Sequence, residues 1–182
     1  IILGTNHFGQ STGVCGCNKG FESPLGLCPG DTELIDALKS AMGDAGETLF
    51  ANRYDHENEH SIELHIPWIQ HVFGPDESGA YPKVFAALIH DPVVNNGESY
   101  DGQGVDLETF VAGLQQALGS VGGRTLIVSS ADLSHVGPSF GDQQTLDGDD
   151  GPGAEFRAKT ASHDKEMLQT FTEKRLEDLV GS

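Results

Sequence analysis

Basic residues are scarce in this chain: 10 Lys and Arg stand against 28 Asp and Glu in 182 residues, for a formal net charge of -18. Binding to a phosphate backbone needs a basic surface, so the composition argues against nucleic acid as a partner. Long hydrophobic runs are also missing. No stretch approaches the roughly 20 apolar residues that cross a bilayer, and no membrane span is expected. Cysteine is confined to Cys15, Cys17 and Cys28, an odd number in a glycine-rich stretch and a poor basis for a disulfide framework. These residues also lack the Cys-x2-Cys pairs and fourth ligand of common zinc sites. They read as free thiols, which suits a reducing, cytoplasmic setting. The chain opens Ile1-Ile2-Leu3 without Met or a charged leader, and residues are expected to be missing upstream.

Alternating apolar patterns carry the fold. Ile1-Leu3, Val84-Ile89 and Thr125-Val128 are short apolar runs suited to buried strands. Thr48-Ala51 reads as an edge strand. Gly9-Gly30, Asp91-Gly104 and Gly141-Gly153 read as loops by composition. Leu34, Ile35, Leu38, Ala41 and Met42 fall at helical spacing behind a cap at Asp31 or Thr32, and Gly43 ends that helix. A second helix is expected from Ser61 through Ile62, Ile66, Ile69 and Phe73. In it Pro67 forces either a kink or a first turn close to itself. Leu107, Phe110, Val111, Leu114 and Leu118 predict a third helix, and Phe156, Met167, Leu168 and Phe171 a fourth. Leu176, Leu179 and Val180 predict a last short helix. Strands alternating with helices imply an α/β sandwich, a single domain with a mostly parallel central sheet and no internal repeat.

Three polar clusters follow apolar runs: Gly4-Thr5-Asn6-His7, Asp55 to His65, and Ser129 to His135. In an open α/β sheet the carboxyl ends of the strands form the ligand crevice, so these clusters predict a metal or acid/base site. His60 and Glu63, three apart, can share a helix face, with His65 nearby as a pocket or capping residue. Asp132 can fix the tautomer of a histidine, and His135 can serve as a proton donor or acceptor. His56-Glu57-Asn58-Glu59-His60 also matches the His-Glu-x-x-His pattern of zinc metallopeptidases. That reading needs His56 and His60 one helical turn apart, in a stretch with almost no apolar anchor.

Leu3-Gly4-Thr5-Asn6-His7, Ser23-Pro24-Leu25-Gly26, Glu59-His60-Ser61-Ile62-Glu63-Leu64-His65-Ile66-Pro67 and Ser129 to Gly137 stand in the order and spacing of the Memo family, also called AmmeMemoRadiSam system protein B. The resemblance covers nearly the whole chain. It implies a fold like the class III (LigB-type) extradiol dioxygenases, with His7 as a metal ligand, His135 with Asp132 as the acid/base pair, and His60, Glu63 and His65 lining or bracing the pocket. It further implies Fe(II), or copper or zinc, as cofactor and a small molecule or peptide in the crevice. It also implies a functional link to AMMECR1-domain and radical-SAM proteins. The family's other histidine ligand, in a Pro-His-Ala-Gly motif, and its cysteine ligand, in a Cys-Gly-Arg-His-Pro type motif, have no match in this sequence. Phe8 stands where the family pattern has a second His, and Val136 where it has an aromatic. With one imidazole of the ligand set, this chain is expected to bind metal weakly. The competing readings are a non-catalytic ligand- or peptide-binding module and, third, the zinc metallopeptidase.

Overall fold

Val84 to Ile89 set the frame. Phe85 and Ala87 enter one apolar cluster, while Val84, Ala86 and Leu88 enter another, the period-two alternation of a strand covered on both faces. In the computed structural model, which describes residues 1–175, this strand and its neighbours belong to the first of two compact units, Ile1–Ala131 and Asp132–Ser182.

The sheet of the first unit contains β1 (Ile2–Thr5), β2 (Cys15–Cys17), β5 (Ala86–Ile89) and β6 (Val128–Ser129) in the order β2-β5-β1-β6. β1 runs parallel to both β5 and β6, and β2 pairs antiparallel with β5 at one edge. The central sheet is therefore mostly parallel, as an α/β class requires. A separate hairpin joins β3 (Phe21–Ser23) to β4 (Gly26–Cys28).

Helices α1 (Thr32–Met42), α2 (Asp44–Leu49) and α5 (Leu107–Ser120) supply the cluster on one sheet face, where Leu38, Leu49, Phe85 and Phe110 are almost fully enclosed. Asp31 caps α1 by accepting the Leu34 N–H, and Gly43 ends it. The opposite face packs Ile2, Cys15, Cys17 and Cys28 with Ile62 and Ile66 from the short α3 (His60–Glu63) and from α4 (Ile66–Phe73).

Four sequence expectations are corrected. The stretch 9–30 is not structureless: Cys-Gly-Cys forms β2, its small side chains all buried, and β3-β4 follows. Residues 48–51 are no edge strand. Gly43 takes φ 57, a left-handed turn that costs glycine little, and the chain restarts as α2 with Leu49 and Phe50 in the core. The helix expected from Ser61 is not continuous: α3 stops at Glu63, and of the two outcomes open at Pro67 a first turn close to it is the one found, in α4. The strand expected over 125–128 is reduced to Val128–Ser129, and Leu126 and Ile127 are exposed.

In the second unit, a 3-10 turn (Pro138–Phe140) precedes the 22-residue α6 (Gly151–Thr172). Arg157 donates to the Leu146 and Gly148 carbonyls at 2.8 and 3.0 Å, and so ties the acidic loop back to the helix. The last predicted helix, at Leu176, Leu179 and Val180, lies outside the described residues. Among the described residues no helix is long and apolar enough to cross a membrane.

Candidate metal centre

Two carboxylates from one segment organise the loop that leaves β1. Asp55, in a 3-10 turn over Arg53–Glu57, accepts hydrogen bonds from the Gln10 and Ser11 amides at 3.0 and 2.9 Å and from the Ser11 hydroxyl at 2.5 Å. The Asn6 amide reaches it at 3.3 Å. Burial pushes the Asp55 carboxyl up, but these donors outweigh it and hold the group below its usual value. The loop is thereby pinned on both sides of His7.

Glu59 completes the arrangement. Its side chain is 1% exposed, sits at the N-cap of α3 and accepts the Ser61 N–H at 2.9 Å through Oε1. The His7 N–H donates to Oε2 at 2.8 Å, and His7 Nδ1 lies 3.0 Å from Oε1. Burial alone would raise this carboxyl, yet the Ser61 and His7 donors bring it down to about 2, so it is an anion at neutral pH. His60 Nδ1 stands 3.3 Å from the same Oε1. The His7 and His60 rings stack with centroids 4.9 Å apart, and Phe8 tilts against both.

Close contact between β1 and α3 makes this geometry possible. Ser61 donates its hydroxyl to the Thr5 carbonyl at 2.9 Å, and a Cβ on Gly4 would stand 2.5 Å from Ser61 Oγ and 2.7 Å from Ile62 Cδ1. Glycine is required by that approach.

His7, Glu59 and His60 each present one ligand atom within 4.8 Å of the others, a group that could hold a metal ion. Two imidazoles and a carboxylate are the donor types that non-haem iron uses, and they also accept zinc or copper, so the residues fit such a cofactor. His60, expected in the pocket, stands beside His7 in this group.

The remaining predicted residues fall as follows. Glu63 is exposed at the end of α3, and His65 is half-buried just before α4. In the second unit His135 Nε2 lies 2.5 Å from Asp132 Oδ2, and its ring stacks on Phe140 at 4.9 Å. His56 is buried with Nε2 3.2 Å from the Cys15 carbonyl, and burial lowers its pKa first and foremost. Its 3-10 turn ends at Glu57 and α3 begins at His60, so the helical spacing required by a His-Glu-x-x-His peptidase is absent. Neither Glu59 nor Asp55 follows from motif or spacing as an organising group of the site. The available signal for Glu59 was its place directly before a short helix, where a side-chain oxygen is wanted by the free amides.

The profile of the family described as Memo-like protein matches residues 1–181. A MEMO1 family protein of Methanopyrus kandleri is 38% identical over 92 residues, covering 50% of this chain and 30% of that protein. A second, from Methanosarcina acetivorans, is 29% identical over 135 residues, covering 74% and 43% respectively. A third, from Methanocaldococcus jannaschii, is 29% identical over 140 residues, covering 76% and 42%. The chain spans less than half the length of these curated relatives. No solved structure matches it.

Proposed function

The chain belongs to the Memo-like protein family, and from that premise we propose that it carries part of a non-haem-iron crevice used for redox chemistry on a small molecule. The observation that supports this reading is the convergence of His7, Glu59 and His60 just beyond the carboxyl end of β1, their ligand atoms within 4.8 Å of one another. Strand ends of parallel sheets are where such folds place ligands. His7 is the metal ligand on this proposal, with Fe(II) as the expected ion and copper or zinc as the alternatives that an imidazole also accepts. Iron bound there supplies Lewis acidity and redox capacity. The family's Pro-His-Ala-Gly histidine and its cysteine ligand complete the set in the whole protein.

His60 and Phe8 form the wall beside His7 on this reading, and Glu63 and His65 brace the pocket. Asp132 holds one nitrogen of His135, which leaves the other to take or give a proton. Anaerobic Fe(II) titration of the complete protein, followed by metal analysis, tests the proposal. His7→Ala should lower occupancy at least tenfold at limiting iron, and equal stoichiometry in both proteins would refute it. Oxygen uptake on addition of catechols to the iron-loaded protein tests the chemistry. Uptake should depend on His135. Undiminished iron binding with no uptake would instead favour a ligand-binding module in the same crevice.

A further inference from the structure

Glu59 can be placed near a metal in two ways, as a ligand or as the group that aims a ligand, and its hydrogen bonds favour the second. A carboxylate oxygen has two in-plane lone pairs. Both on Oε1 are engaged, one by the Ser61 N–H at 2.9 Å and one by His7 Nδ1 at 3.0 Å, the nearer of the two imidazoles, with His60 Nδ1 farther off at 3.3 Å. On Oε2 one is taken by the His7 N–H at 2.8 Å, and the side chain is 1% exposed. The oxygen that faces both imidazoles therefore has no electron pair left for a cation. His7 Nδ1 is engaged by the same contact.

The two bonds to His7 have a further geometric effect. The backbone N–H and the ring nitrogen of one residue grip the two oxygens of one carboxylate, which fixes the main chain and the ring together. A carboxylate only accepts, so Nδ1 must be the nitrogen that carries hydrogen. Nε2 is then left with its lone pair, on a side chain 33% exposed. We infer that Glu59 is a positioning residue that holds the neutral His7 ring in its Nδ1–H tautomer and so makes Nε2 the donor atom of the crevice. Such carboxylate support both orients an imidazole and raises its basicity. The inference rests on the reading of His7 as a ligand, but the tautomer itself is a property of the metal-free protein.

The test uses the full chain labelled with 15N in its histidines, in long-range 1H-15N correlation spectra recorded above the imidazole titration and without metal. His7 should show hydrogen on Nδ1 and a bare Nε2. In Glu59→Gln one acceptor oxygen becomes an amide donor, and the His7 ring should shift toward the Nε2–H form. Co(II), used as the spectroscopic probe, should then bind about 10- to 100-fold more weakly with unchanged stoichiometry, and Glu59→Asp should recover part of the loss. A wild-type His7 ring in the Nε2–H form overturns the inference. So does a Glu59→Gln protein that binds Co(II) as tightly as wild type, or X-ray absorption showing one fewer oxygen ligand in that variant. If Glu59→Gln does not fold, the wild-type tautomer and Glu59→Asp still decide. Wild-type protein with the expected tautomer that takes up no Co(II) supports the inference while defeating the metal reading, so the two failures are distinct.

Discussion

Glu59 is a buried carboxylate with three donors, and it should be visible in stability measurements for that reason. Its folded pKa, about 2, lies below the ordinary 4.5. A depressed folded pKa contributes stability that is fully present above the unfolded value and is lost as pH falls through the folded one. Urea midpoints of the wild type should therefore fall between about pH 4.5 and pH 2 by more than those of Glu59→Gln. Near neutral pH that variant should be less stable by about 1–3 kcal/mol, the usual cost of leaving buried donors unmatched. Parallel pH profiles for the two proteins would contradict this. The cysteines give an independent check at the same scale. All three are free and buried, and burial is the main cause that pushes the Cys15 thiol up to about 11. Because the thiolate is the reactive form, Ellman's reagent should modify the native protein slowly at pH 8 and all three thiols promptly in denaturant. Fast labelling of Cys15 in the native protein would show that β2 opens readily.

Elements were legible in proportion to how strongly one period governed them. α1 and α5 are amphipathic and bury the apolar stripes that identified them, Leu34, Ile35 and Leu38 in one and Phe110 and Leu114 in the other. The central strand around Ala86–Ile89 was equally plain, since a continuous apolar run bounded by turns has few other uses. β2 was hidden because Cys-Gly-Cys has no bulky or β-branched residue, and its strand character comes from pairing with β5, a tertiary effect. In the site, His7 and His60 stood out by chemistry alone. Glu59 did not, because its role depends on a contact 52 residues away in sequence. Helical spacing drew attention to Glu63 instead, which the fold leaves exposed. The seam between β1 and α3 is what joins these parts, and Gly4 controls it. Gly4→Ala puts a methyl group against Ser61 Oγ and Ile62 Cδ1, an overpacking that costs about 1–3 kcal/mol. Thermal melts should show that loss, and the His7 and His60 ring signals should move with it. A variant with wild-type stability and unshifted ring signals would mean that the seam is slack.

For the whole molecule the dominant physical fact is the charge of -18. Like charges held on a compact body repel more than on an expanded chain, so the folded state is opposed by its own field at neutral pH and low salt. The Debye length falls from about 10 Å at 0.1 M salt to about 3 Å at 1 M, and sodium chloride should raise the urea midpoint over that range. Acid acts on the same repulsion by a different route. From pH 7 toward 5 proton uptake by the chain lowers the net negative charge, while the depressed groups, Glu59 and Asp55, keep theirs. Below about pH 4.5 the unfolded chain takes up a proton at Glu59 that the folded state refuses until about pH 2, Asp55 acts in the same direction, and stability must drop. At low salt the profile should therefore rise on mild acidification, pass through a maximum and fall. At 1 M salt, where the repulsion is already screened, the rise should vanish and the fall remain, because buried hydrogen-bonded carboxylates are little affected by screening. Denaturation curves at two salt concentrations across this pH range separate the two effects. A low-salt profile that declines steadily from pH 7 would show that surface repulsion contributes nothing measurable to the balance.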